Sequence, residues 1–249
     1  MMNKRVIALI TVLCLAASSL VAFQFSPLEQ TFSTSGAEST KSYTIVNDSN
    51  DSIAIVITAL TRDQDGDGNE LNESASSYFS IVPAKVIVKP QSTQIVRVQY
   101  KGPKTVTTEL SFRIRAEQTT YSQGRQQTEG SMFNFLYIYT TSAYVSPSAI
   151  VERVGIRSIT PALDEEGNKI MKIAVANAGN IHQILTGAEI TITDSANNRV
   201  ILSGTEQIGR ISGLNLLAKK TVTVSVPWPE GLPYPEGQGS FKATIDYSK

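Results

Sequence analysis

From Phe25 onward, hydrophobic and polar positions alternate at period two, not 3.6. Tyr43 and Ile45, then Ile53, Ile55 and Ile57, are examples of the alternation. The pattern predicts strands over 24–33, 41–47, 52–61, 77–88, 93–100, 107–117 and 131–145. A second half repeats the style with strands over 150–160, 169–177, 184–194, 199–209, 219–226 and 240–248. Thr, Val, Ile and Tyr dominate these runs, as half-buried pleated surfaces favour. Turn residues separate them at 47–51, 63–69, 89–92, 101–104, 122–130, 164–168, 177–180 and 194–198. No long stripe of helical period is present, and 73–77 amounts to one helical turn at most. The expected fold is all-β: two immunoglobulin-like β-sandwich domains joined at an angle by a short hinge at Ser146-Pro147-Ser148. A single large barrel is the structural alternative.

Residues 1–22 read as a secretory signal. Lys4 and Arg5 supply the positive start, 6–17 is apolar apart from Thr11, and Ala22 is a cleavage edge. The run is short for a membrane span. Leu13 is too large for the position before a lipid-modified Cys14. The domain expectation is therefore a signal at 1–22, one sandwich at 23–146 and another at 147–249. Nothing after the signal reads as a membrane span, so the product is expected to be exported and not an integral membrane protein.

Composition narrows the chemistry. The 249 residues carry 22 Lys+Arg against 22 Asp+Glu, which leaves no electrostatic footprint for nucleic acid. One His and one Cys, the latter inside the signal, leave no material for Cys/His zinc cages, Fe–S clusters or disulfide frameworks.

Asp63-Gln64-Asp65-Gly66-Asp67-Gly68 matches the opening half of an EF-hand calcium loop. Its twelfth position is Ser74 where a bidentate Glu belongs, and its flanks are β-type. A hairpin tip is the favoured reading and calcium the alternative. His182 follows a turn and lacks announced partners for a triad or metal site, so it reads as a structural or surface side chain. Trp228, between Pro227 and Pro229, is either a plug in a proline-stiffened loop or a sugar-stacking platform. Asn47-Asp48-Ser49 and Asn72-Glu73-Ser74 match glycosylation acceptors by pattern. No nucleophile elbow, phosphate loop or paired carboxylates announce an enzyme, and no cofactor is expected.

The run from Met132 to Tyr139 is apolar on almost every residue. Phe133, Phe135, Tyr137 and Tyr139 share one face of a strand; Leu136 and Ile138 share the other. One reading is a strand buried on both faces. The other is an edge strand that offers a bulky apolar row to a partner through main-chain pairing and pocket filling.

Several segments, in order, resemble the periplasmic chaperones of the chaperone–usher pilus pathway, the PapD-like family, in a non-prototypical branch. They are the strand Tyr43-Thr44-Ile45-Val46-Asn47, ending in Asn, and the apolar stretch from Phe79 through Pro83 to Pro90. Gln94-Ile95-Val96-Arg97-Val98 follows, then the aromatic strand ahead of Pro147, then the turn Asn177-Ala178-Gly179-Asn180. The resemblance implies a non-enzymatic chaperone. It lends its donor strand to a pilus or fimbrial subunit lacking one, blocks premature aggregation, and delivers the subunit to an outer-membrane usher. The next subunit's N-terminal extension then displaces it. Phe133, Phe135 and Tyr137 match the donor side chains, with Tyr139 as a fourth; burying each contributes roughly 2–3 kcal/mol.

The prototypical family anchors the subunit's C-terminal carboxylate with an Arg on the first strand and a Lys on the donor strand. Here 23–39 has neither cation, and Ser142 stands at the donor-strand position. Hydroxyls and backbone N–H groups, or Arg113 or Arg115 reaching in, are the alternatives, as is a divergent system or a stand-alone relative with another client. The free edge is open to capping by a second copy in a dimer or by 118–130. A rival reading is a secreted immunoglobulin-like binding or structural module, an adhesin or carbohydrate-binding module, with the aromatic strand as core.

Overall fold

A computed structural model describes residues 23–121 and 136–248. The expected signal, together with Phe133 and Phe135 of the aromatic row, lies outside the described residues. The first sandwich is built from β1 (Gln24–Ser26), β2 (Glu29–Phe32), β3 (Thr40–Asn47), β4 (Ile53–Thr61), β5 (Asp63–Gln64), β6 (Glu70–Leu71), β7 (Phe79–Val82), β8 (Lys85–Val88), β9 (Ser92–Tyr100), β10 (Leu110–Thr119) and β11 (Ile138–Val145). One sheet runs β1-β3-β9-β7, the facing sheet β2-β11-β10-β4-β8, and β5 and β6 form a separate hairpin.

Two expected strands are each two strands. The run 24–33 breaks at Pro27, with β1 antiparallel to β3 in one sheet and β2 parallel to β11 in the other. The run 77–88 breaks at Pro83, with β7 on β9 and β8 on β4. Proline has no N–H to continue a ladder, so the chain changes sheets there. The inward parity flips at both crossings, from odd to even positions, and Phe25, Phe32, Phe79 and Val88 all reach one core.

The second sandwich comprises β12 (Val154–Leu163), β13 (Lys169–Asn177), β14 (Gln183–Ile184), β15 (Thr186–Asp194), β16 (Arg199–Ser203), helix α1 (Gly204–Ile208), β17 (Asn215–Leu216), β18 (Thr221–Pro227) and β19 (Phe241–Ser248). Its sheets run β12-β13-β18 and β16-β15-β19, with β14 and β17 as a two-stranded pair. The strand expected over 199–209 ends at Ser203. Gly204 takes a positive φ of 70° and starts the single turn of α1, which buries Ile208. A second core, including Met171, Ile190, Leu216 and Val222, is separate from the first. Among the described residues no helix is long and apolar enough to cross a membrane.

Three hairpin turns share one device, Asp followed four residues later by Asn. Asp65 Oδ1 accepts the N–H of Asp67 and Asn69 at 3.0 and 2.8 Å, and Asn69 Nδ2 donates to Asp65 Oδ2 at 3.0 Å. Asp164 with Asn168, and Asp194 with Asn198, repeat it. In all three, the Asn side-chain hydrogen bond is the main cause holding the carboxyl below its ordinary value of 3.8. A carboxyl lowered on folding stabilises fully above its unfolded pKa and loses that contribution as pH falls through the folded value. Thermal stability is therefore expected to decline below about pH 4. Replacing all three Asp with Asn should flatten that part of a melting-temperature profile; an unchanged slope would assign the acid sensitivity to other groups.

The sandwiches meet at the turn 177–182. Asn180 Nδ2 donates to the carbonyls of Thr107 and Ala149 at 3.0 and 2.7 Å, and its Oδ1 accepts the N–H of Val151 at 2.7 Å. Gly179 passes so close to 151–153 that a Cβ there would lie 2.4 Å from the Val151 carbonyl oxygen. Glu109, buried at the base of β10, accepts the His182 N–H at 3.0 Å and faces its Nδ1 at 2.7 Å. The His182 ring stacks on Tyr144 of β11, centroids 3.9 Å apart. His182 is thus a structural part of the joint.

Candidate functional site

Strand β11 is paired with β10 along its whole length, from Ile138 opposite Glu117 to Val145 opposite Leu110. Its other flank is covered only in part, because β2 pairs with 142–145. Ser142 N–H points to that flank, donating to the Leu28 carbonyl at 2.8 Å. Strand alternation turns the N–H and C=O of Thr140 and Ile138 the same way. Among the described residues no strand pairs with them there. The strand expected from 131 starts at Ile138 within the described residues, since Leu136 and Tyr137 lie outside its assigned bounds.

Tyr137 and Tyr139 are half-buried against the first core, and the Tyr139 ring meets Phe23 edge-on at 4.8 Å. On the opposite parity Leu136 and Ile138 stand half exposed, at 49% and 51%. The open flank thus borders an inward aromatic row and an outward aliphatic one.

Beside Ser142 lies a cluster of charge. Arg113, opposite Ser142 in the ladder, donates from Nη1 to Ser142 Oγ at 2.8 Å. It also holds Glu70 of β6 through Nε at 2.8 Å and Nη2 at 2.5 Å. Arg62, just past β4, joins from Nε at 2.9 Å and donates from Nη1 to Tyr144 OH at 2.7 Å. Burial pushes the Glu70 carboxyl upward, but Arg113 and then Arg62 more than offset this and hold it below the usual range. Of the two arginines singled out in the sequence, only Arg113 reaches Ser142; Arg115 is paired with Glu117 at 2.9 Å.

The EF-hand-like loop is the hairpin tip, with Asp65 spent on the turn. Among the described residues no group of three or more His, Cys, Asp or Glu gathers to hold a metal. Trp228 is a plug: its ring packs on Tyr234 and Phe241, and Nε1 donates to the Leu232 carbonyl at 2.6 Å. Asn47 of the first glycosylation pattern is buried, its amide spent on the carbonyls of Asp51, Val88 and Lys89. A cleft of about 420 Å³ lies between the sandwiches, bordered by Arg62, Glu109, Phe112, Leu217 and Lys220. Sequence reasoning missed Arg62, Glu70, Glu109 and Tyr144. No local pattern marks them, because their partners lie on other strands or in the other sandwich.

No family model matches the chain, and no curated protein is found to match it. Solved structures do. A chain of the CsuC–CsuE chaperone–tip adhesion subunit pre-assembly complex, from the archaic chaperone-usher Csu pili of Acinetobacter baumannii, superposes with a TM-score of 0.60 at 12% identity, covering 90% of this chain and 98% of that one. A chain of a chaperone–tip adhesin complex of CFA/I fimbriae biogenesis gives 0.53 at 16% identity, with 90% and 98% covered. The class 5 fimbriae chaperone CfaA gives 0.52 at 18% identity, with 89% and 98% covered. Over nearly its whole length, then, this chain has the two-sandwich fold of fimbrial and pilus chaperones.

Proposed function

We propose that this chain is a periplasmic, non-enzymatic assembly chaperone that binds a pilus or fimbrial subunit along β11 and delivers it to an outer-membrane usher. Residues 1–22 serve as its export signal, 23–146 as the subunit-binding sandwich and 147–249 as the second sandwich. The observation that carries this reading is the half-open flank of β11. A sandwich edge whose main-chain donors and acceptors have no strand partner among the described residues, beside a bulky apolar run, invites an added strand.

Phe133, Phe135, Tyr137 and Tyr139 lie at alternate positions, and the last two pack against the chaperone's own core. The same face, continued beyond that core, fills the groove of the incomplete subunit sandwich. One strand so serves two cores. Arg113 and Ser142 then stand where a subunit's C-terminal carboxylate needs a cation and a hydroxyl, in place of the Arg and Lys pair of the prototypical family.

Thr140→Pro tests this with little disturbance to the chaperone. Thr140 N–H points to the open flank, so proline removes an edge donor while the β10–β11 ladder keeps all its bonds. Co-expression with each secreted protein encoded beside it, followed by pull-down, should recover a client with the wild type and none with Thr140→Pro. Circular dichroism should remain native. Retention of the client by a folded Thr140→Pro variant would refute edge pairing at β11.

A further inference from the structure

Two arginines converge on a single carboxylate that belongs to neither strand of the candidate site. Glu70 sits on the returning strand of the β5–β6 hairpin, against Arg113 and Arg62. The tip of that hairpin lies on the other sandwich. Gln64 Nε2 donates to the Asn215 carbonyl at 2.7 Å, and its Oε1 accepts the Leu217 N–H at 2.9 Å. Thr223 N–H donates to the Gly66 carbonyl at 2.7 Å, and Lys220 pairs with Asp63. Gly68, at φ +79°, lies so close to Val222 that a Cβ there would come within 2.8 Å of its Cγ1.

The base of the hairpin is tied by backbone bonds, Thr61 N–H to the Glu73 carbonyl and Arg62 N–H to that of Ser111. Beyond that base, β5 and β6 pair over only two positions. Glu70 is the side chain that fastens the returning strand to the sheet. The hairpin is therefore a strap, held to one sandwich by the backbone bonds at its base and by the Glu70 carboxylate beyond it, and docked on the other at its tip.

We propose that Glu70 is the resident carboxylate of the Arg62–Arg113 pair, that a client's carboxylate takes its place, and that this exchange frees the strap holding the second sandwich. The proposal rests on the reading of β11 as the client-binding edge. Paired guanidiniums recognise a carboxylate through directed, charge-assisted bonds. Glu70 takes the Nε–Nη2 edge of Arg113 and the Nε–H of Arg62, so an incoming anion competes for those N–H groups. Client occupancy and interdomain looseness become two readings of one equilibrium.

The test uses the full chain with Cys14→Ser and spin labels at Thr93→Cys and Ser225→Cys, one exposed strand position per sandwich. Acetate is the probe, followed at the Arg113 and Arg62 Nε–H signals by NMR, with chloride at equal ionic strength as control. Glu70→Gln is expected to bind acetate about tenfold more tightly than the wild type. The interlabel distance distribution should be narrow in the wild type and broad in both Glu70→Gln and Gln64→Ala. Equal acetate affinity in wild type and Glu70→Gln would overturn the proposal, as would a wild-type width in Gln64→Ala, which leaves Glu70 untouched. Failure of the client reading shows separately, as a client retained by Thr140→Pro.

Discussion

Phe79→Ala is expected to lower the unfolding free energy of the first sandwich by about 4 kcal/mol, the upper part of the range for large-to-small core changes. Phe79 is 6% exposed and sits at the centre of an aromatic group. Its ring meets Phe112 at 5.0 Å and Phe32 at 5.4 Å, both edge-on, and Tyr100 at 5.6 Å. Those partners come from β10, β2 and β9, so both sheets close on this ring. Truncation leaves a void that rigid neighbouring rings fill poorly, and the loss adds a cavity cost to the lost burial. Denaturant unfolding should show a lower midpoint with an unchanged slope. Phe79→Leu should recover most of the loss. An effect of Phe79→Ala below about 1.5 kcal/mol would mean that the surrounding rings collapse into the space.

Asn177→Ala is expected to cost the second sandwich about 3 kcal/mol, and Asn177→Asp more. Asn177 is 1% exposed at the end of β13. Its Nδ2 donates to the carbonyls of Ile181 and Leu216 at 2.8 and 3.1 Å, and its Oδ1 accepts the Gly179 N–H at 2.9 Å. Alanine strands three backbone groups, two buried and one partly buried, each worth about 1 kcal/mol. Aspartate keeps the acceptor but removes both donations and sets a charge against two carbonyl oxygens. Thermal unfolding of the two variants, ranked against wild type, checks the order; Asp equal to or milder than Ala would contradict the buried-donor argument. The first sandwich repeats the device. Asn47 ends β3, donates to the carbonyls of Asp51, Val88 and Lys89, and accepts from Ser49.

That repetition bears on what was legible beforehand. The strand ending in Asn47 and the turn at Asn177 stood out as motifs, and both mark places where one amide replaces several missing backbone partners. Strands such as 41–47 and 169–177 were readable because a face buried on one side enforces alternation over its whole length. The runs 24–33 and 77–88 look like single strands because β-type residues continue past Pro27 and Pro83, while the flip of buried parity at each proline marks the change of sheet. Periodicity reports which side faces a core and is silent about which sheet supplies the hydrogen bonds. The half EF-hand pattern was readable as a turn for the same local reason: Asp65 satisfies N–H groups within four residues of itself.

The candidate site was only half legible. Its aromatic run is written in consecutive residues. The flank of β11 that no strand covers among the described residues is not, because it depends on where the short β2 stops pairing. Arg113 was visible as a candidate cation, yet its setting against Ser142 depends on the register between β10 and β11, and its hold on Glu70 depends on a hairpin from elsewhere in the chain.

By itself the sequence determined the all-β class, the two-sandwich arrangement, most strand faces and the turn chemistry, since these follow from side-chain alternation and from bonds within a few residues. Tertiary structure alone decided the sheet changes at the prolines, the stretch of β11 without a second strand partner among the described residues, the Glu109–His182–Tyr144 joint and the Glu70 strap. Each of these is a meeting of groups distant along the chain, and local spacing carries no information about which distant partner will satisfy a buried charge or leave an edge unpaired.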